Sequence, residues 1–146
     1  MAIAEKIQCP QVPDLPTASW TNGYRIGQEV VVSGMTGHPV TRQAAERGEP
    51  LSAYDQTLVV LKKLEALVTA AGGHRHNLIK TVVYLTDIAD KDEVGRARRD
   101  FFDGVFPCAT LVAVSALVFP ELRVEIDAWA RLDVDLRQAT LLSTES

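Results

Sequence analysis

From Leu122 to Leu132 the chain alternates without a break. Leu122, Val124, Ile126, Ala128 and Ala130 fall on one side of an extended backbone, and Arg123, Glu125, Asp127, Trp129 and Arg131 fall on the other. A period of two is the signature of a strand whose successive side chains point to opposite faces. The segment therefore demands a sheet with one face packed against other elements and one face carrying charge.

The remaining segments supply partners for that strand. Ser52 is placed to cap a helix, with Asp55 three residues on and Leu58, Leu61, Leu64, Val68 and Ala71 at helical spacing; Gly72 and Gly73 stop it. The β-branched run Leu78–Thr86 predicts a strand, and Lys91–Phe102 a second helix burying Val94, Ala97, Phe101 and Phe102. Between Tyr24 and Ser33, a Gly27-Gln28 turn signal ahead of Val30, Val31 and Val32 fits two short strands tightly joined or one bulged strand, ended by Gly34. Ala109–Leu117 reads as a further strand, separated from the alternating one by a turn at Phe119 and Pro120. Residues 1–19, with Pro10, Pro13 and Pro16, form an extended leader; residues 36–50 are expected as a surface loop and 136–146 as a flexible tail.

Strands, helix, strand, helix, strand, strand is the order of an α/β (α+β) domain, a mixed sheet with two helices packed on one face. The 146 residues make one domain, and a hydrophobic content of 47% is enough for a core. The second sheet face holds Trp129 among charges, and association of subunits is the simplest way to cover it. No apolar run of membrane-spanning length occurs, and the first residues lack the basic and apolar segments of a secretory signal, so a soluble cytoplasmic protein with no membrane partner is expected. A net charge of −4 argues against a general nucleic-acid binder. Arg96, Arg98 and Arg99 lie among Asp92, Glu93, Asp100 and Asp103 and read as a solvated helix face. Cys9 and Cys108 read as reduced thiols, Cys108 as a small packed residue, and His38, His74 and His76 as solvated loop residues with no third metal ligand in reach. No phosphate-binding glycine loop or G-x-S-x-G elbow is present, so no cofactor is expected.

Several short motifs stand in a fixed order: Trp20 ahead of the first hairpin, Val32-Ser33-Gly34, Ala70-Ala71-Gly72, the valine-rich strand Thr81–Asp87, Phe101-Phe102 with Phe106-Pro107, and Val124-Glu125-Ile126-Asp127-Ala128. In these, over residues 20–132, the sequence resembles the Rid (YjgF-type) family. The resemblance implies a chorismate-mutase-like fold, a homotrimer with clefts between subunits, and hydrolysis of reactive enamines and imines with release of ammonia. It also implies that Glu125 directs the attacking water, with Asp127 next on the same face at about 6.8 Å by strand rise, and that Gly34 lets the backbone approach a ligand closely. Two readings of the acid pair stand side by side, catalytic carboxylates or a polar network at a subunit interface.

The departures from the family pattern are equally specific. Where deaminating members carry a substrate-carboxylate arginine, two residues after the proline, this chain has Ala109; Leu111 replaces a frequent cysteine, and Trp20 a frequent tyrosine. Thr110, at a family serine position, should face away from the cleft. The expected substrate-binding set is Trp20, Gly34, Ala109, Leu111, Asp127 and Arg123. A cleft without its arginine favours a less acidic small-molecule ligand, unless another arginine serves; Arg123 and Arg131 are candidates, Arg42 and Arg47 weaker ones. The expected function is an enamine or imine deaminase of altered specificity; the alternative is a non-catalytic ligand-binding or interaction protein on the same trimeric scaffold.

Overall fold

The alternating segment forms β6 (Val124–Arg131), which lies inside a six-stranded sheet rather than at its margin. A computed structural model describes residues 1–143 of the chain, leaving the last three residues of the expected tail outside the described region. Before β6 come β1 (Ala4–Lys6), β2 (Gly23–Ile26), β3 (Glu29–Val32), α1 (Val40–Glu46), α2 (Ala53–Ala70), β4 (Leu78–Leu85), α3 (Lys91–Phe102) and β5 (Cys108–Ala113). The strand order is β1-β2-β3-β6-β4-β5, and every neighbouring pair is antiparallel except β4 and β5. The sheet is therefore mixed, with the long helices α2 and α3 on one face, as expected.

The two strands flanking Phe119 and Pro120 are both present but do not pair with each other. The β4-α3-β5 crossover lays β5 parallel to β4 at the sheet edge, and the chain then passes over the end of β4 to enter β6 on its other side. Val114 N donates to Leu85 O at 2.7 Å and Thr86 N to Arg123 O at 3.2 Å along that path. A turn signal locates a reversal of the chain; it carries no information about a third strand inserted between the two arms. The Gly27-Gln28 signal does mark a tight hairpin, with Arg25 opposite Val30 and Ile26 opposite Glu29.

The inward residues of β6, Val124, Ile126, Ala128 and Ala130, are all buried. They meet Val60, Leu61, Leu64, Leu67 and Val68 of α2 and Val94, Phe101 and Phe102 of α3 in one core. Ser52 Oγ accepts from Asp55 N at 3.1 Å, the predicted cap, while Leu58 is only partly buried. Helix α3 ends on Asp103 in the left-handed region, φ 51°, followed by Gly104.

Three segments are more structured than their composition indicates. In the expected loop 36–50, α1 buries Thr41 and Ala44, and Lys63 Nζ from α2 donates to Thr36 O and His38 O at 2.7 Å each. A seven-residue helix with two buried positions is too short to show a period in sequence. The leader contributes β1, which pairs with β2, and Asn22 Nδ2 donates to Val12 O at 3.1 Å. The tail begins with a 3-10 turn, Leu136–Gln138, capped by Asp135.

Two side chains correct their sequence reading. Cys108 is exposed on the edge strand rather than packed, because β5 has a free outer face. His38 is half-buried against the Phe119 ring, centroids 4.4 Å apart, rather than solvated.

Gln56, 1% exposed, fastens the entry to β6: its Nε2 donates to Leu51 O and Glu121 O, and its Oε1 accepts from Arg123 N at 2.9 Å. Replacing it with an apolar residue strands buried backbone groups, each worth roughly 1–3 kcal/mol. Gln56→Met is expected to lower unfolding stability by about 3 kcal/mol, read from the midpoint of a urea transition.

Candidate functional site

The outward residues of β6 face solvent in this chain and define the candidate site. Register aligns Glu125 with Tyr84, Asp127 with Val82 and Trp129 with Lys80 on β4, and Trp129 with Val31 on β3. Residues paired across a ladder share a face, so Glu125, Asp127 and Tyr84 lie together on the side away from the helices. Tyr84 Oη donates to Asp127 Oδ2 at 2.9 Å. Tyr84 was not among the expected site residues. The alternation Lys80, Val82, Tyr84 marked it as outward, but only the register shows that it meets the acids.

Gly34 closes this corner. Met35 N and O exchange hydrogen bonds with Ile126 at 2.9 and 3.0 Å, which fixes the backbone just before it against β6 between the two acids. A Cβ on Gly34 would stand 2.7 Å from Asp127 Oδ1 and 3.1 Å from Glu125 Oε1. Glycine leaves both carboxylate oxygens where they stand, whereas a side chain here would displace the Asp127 carboxylate first; no positive φ is involved. Ser33 Oγ donates to Thr21 O at 2.6 Å, drawing the segment that carries Trp20 towards the same corner, although the Trp20 ring itself is 55% exposed.

Burial raises the pKa of the Glu125 carboxyl above its ordinary value of 4.5, and the neighbouring Asp127 charge raises it further. The Tyr84 hydroxyl is also pushed up, first by its hydrogen bond to Asp127. A carboxyl raised in this way is a stronger base than an ordinary glutamate once ionised, which suits it to take a proton from a bound water.

Ala109 and Leu111 do not join this group within one chain. They pair with Thr81 and Val83 on the helix side of the sheet, and Leu111 packs against the core. Thr110, expected to face away from the cleft, does point opposite to Ala109 but shares the face of Glu125, and accepts from Lys80 Nζ at 3.0 Å. The acid face and the Ala109 side can contribute to one cleft only if different subunits supply them.

Three of the four arginines considered as replacements are engaged elsewhere. Arg123 binds Asp90 through two hydrogen bonds of 2.9 and 2.7 Å, and Asp90 is 4% exposed. Arg131 pairs with Asp133 at 2.9 Å, and Arg42 with Glu121 at 2.9 Å while lying over Phe119; Arg47 is exposed beyond α1. Arg123 is thus a structural partner of Asp90 and not a free ligand for substrate. Among the described residues no group of three or more His, Cys, Asp or Glu side chains is placed to hold a metal ion.

The raised Glu125 pKa carries a sign for stability. Its ionised form is disfavoured by folding, so the protein loses stability as pH rises from the ordinary glutamate value through the raised one. Glu125→Gln is expected to remove that loss: its melting temperature should exceed that of the parent at pH 8, with the gap closing towards pH 4. Differential scanning at both pH values checks it.

The comparisons with known proteins bear on the family and the fold. The family model described as "Endoribonuclease L-PSP" matches residues 12–132. The putative reactive intermediate deaminase TdcF of Escherichia coli is 31% identical over 114 residues, 76% of this chain and 84% of its own. The 2-iminobutanoate/2-iminopropanoate deaminase of Mus musculus is 29% identical over 76% of this chain and 79% of its own. Among solved structures, the protein of unknown function PA3499 from Pseudomonas aeruginosa superposes with a TM-score of 0.94 at 60% identity, over 96% of this chain and all of the other. E. coli TdcF with bound serine superposes at 0.74 with 28% identity, over 87% of this chain and 98% of its own. A family model that spans residues 12–132 shows that this chain belongs to the Endoribonuclease L-PSP family, the family of the YjgF and Rid proteins.

Proposed function

We propose that the protein is a cofactor-free hydrolytic deaminase acting on a small reactive imine or enamine with a largely apolar body. Water adds to the carbon of the C=N bond, and the resulting carbinolamine breaks its C–N bond to leave a carbonyl compound and ammonia. Glu125 takes the proton from the water and returns it to the departing nitrogen. Burial, and then Asp127 held by Tyr84, keeps the Glu125 pKa high, and Gly34 leaves room for both carboxylates. The observation that carries this reading is the half-buried Glu125 carboxyl, raised in pKa, beside Asp127 and against the Gly34 backbone. The names of the E. coli and mouse relatives support the reaction class.

The working cleft lies between subunits of a homotrimer. Tyr24, Val31, Val112 and Trp129 all lie about 40% exposed on the outer sheet face, a surface whose burial would favour association. Facing subunits would also bring an Ala109 side opposite a Glu125 side. Ala109, where deaminating relatives of the family carry arginine, and the Trp20 ring make the pocket wall more apolar. The absence of any membrane-spanning helix among the described residues accords with a cytoplasmic setting.

Turnover of enamines generated in situ is expected in the parent and absent in Glu125→Gln, and its acid limb should lie above 4.5 and move down in Asp127→Asn. Equal rates in parent and Glu125→Gln would exclude the role given to Glu125 and leave a non-catalytic ligand-binding scaffold. Trp129→Glu places a charge on the proposed interface and is expected to shift the sedimentation coefficient towards that of a monomer.

A further inference from the structure

The corner on β6 gathers negative charge without a cation to offset it. Asp127 Oδ1 and Glu125 Oε1 lie 2.7 and 3.1 Å from one point in front of Gly34, where a Cβ would stand, so the two carboxylates converge. Tyr84 Oη donates to Asp127 Oδ2 and favours that carboxylate as an anion, leaving Oδ1 towards the corner. Among the described residues neither acid forms an ion pair.

The basic groups of the chain are held elsewhere. Arg123 binds Asp90, Arg131 binds Asp133, and Arg42 binds Glu121. Lys80, two positions before Val82 on β4, turns its Nζ to Thr110 on β5. The face of α3 expected to be solvated is not uniformly so: Arg96 lies over the Tyr54 ring at 4.1 Å, and Arg98 turns inward, its Nε shut off from solvent without an acceptor. Accordingly the Glu125 carboxyl feels burial and the Asp127 charge, and the Tyr84 hydroxyl feels both acids, with no opposing cation. A ligand carboxylate entering this corner meets two acids, whereas a cation meets two acceptors aimed at one point. Half-buried charges are screened less than those on an open surface. Aromatic rings, whose faces attract cations, stand on the same side: Tyr84, opposite Glu125 in register, and the exposed Trp20, carried on the segment that Ser33 ties through Thr21.

We propose that the corner formed by Glu125, Asp127 and Gly34 selects a cation, a protonated imine C=NH2+ whose body carries no carboxylate. One N–H donates to Asp127 Oδ1 and the other to one oxygen of Glu125, charge-assisted bonds of the stronger kind. The second Glu125 oxygen faces the water. Water adds to the iminium carbon, Glu125 takes its proton and passes it to the nitrogen, and the C–N bond breaks with its electron pair going to nitrogen. Iminium and water thus become a carbonyl compound and ammonium. The unit positive charge is on nitrogen at the start and at the end, so Asp127 faces a cation in both. This deepens the function proposed above by naming the charge class of its substrate, and it rests on that reading for the reaction alone.

Binding is measured apart from turnover, with three planar probes of one shape. Benzamidine is cationic at neutral pH and a stable mimic of C=NH2+, benzamide is neutral and benzoate is anionic. Each is titrated into the full-length protein, with backbone amide shifts followed by NMR. Benzamidine is expected to bind at least roughly tenfold more tightly than benzamide, as for one charge-assisted hydrogen bond, with benzoate the weakest and the shifts centred on Gly34, Tyr84 and Asp127. Its affinity should rise with pH as Glu125 ionises. The preference should shrink in Glu125→Gln and in Asp127→Asn, and vanish when both substitutions are made. The proposal is overturned if no probe binds at millimolar concentration, if benzamide or benzoate binds as tightly as benzamidine, or if the preference survives the double substitution. Benzamidine selectivity without turnover of any imine leaves this inference standing and sinks the deaminase reading. Turnover of 2-imino acids as fast as of carboxylate-free iminium ions does the reverse.

Discussion

Strand β6 is held on both sides, by β3 and by β4, and nearly every feature of the molecule follows from that double pairing. Its inward residues form the floor of the core beneath α2 and α3. Its outward residues carry the two acids. Because the ladder fixes which residue faces which, Tyr84 reaches Asp127 and the Met35 bridge sets Gly34 against both carboxylates. A slip of one residue would turn Glu125 and Asp127 into the core and Ile126 outward. The buried Gln56, by holding Arg123 N and Glu121 O, anchors the point at which β6 enters this register.

The distribution of charge explains why the molecule has several arginines near its candidate sites and few that can receive a ligand. Arg123, Arg131 and Arg42 each bind a carboxylate of the same chain, and these pairs shape the loops around β6. Arg98 differs: helix α3 turns it inward, where its Nε is shut off from solvent and has no acceptor. An arginine with a carboxylate partner is structural.

The parts of the fold legible in the sequence are those in which a period is sustained. The eight residues of β6 and the stripes of α2 and α3 repeat often enough to declare their type and their buried side, and Ser52, Asp55 and the double glycine mark the ends of α2. Helix α1 and strand β1 are too short to repeat, and both depend on contacts with distant segments, Lys63 for the loop ahead of α1 and β2 for β1. The candidate acids were legible because strict alternation put them on one face and the family motif named them. The inward turn of Arg98 was not, since its neighbours in sequence are charged and only the packing of α3 over Thr81 and Phe106 makes its position unusual.

By itself, then, the chain's residue order determined the type and buried side of the longer elements, the family, and the replacement of the family arginine by Ala109, all of which are properties of local pattern. The tertiary structure decided which strands are neighbours, that β4 separates β5 from β6, and that Ala109 and Glu125 stand on opposite faces of one sheet. Those outcomes depend on pairings between residues far apart in the chain. Periodicity tells a strand which face to bury, whereas its neighbours are chosen by backbone hydrogen bonds that any residue but proline can make.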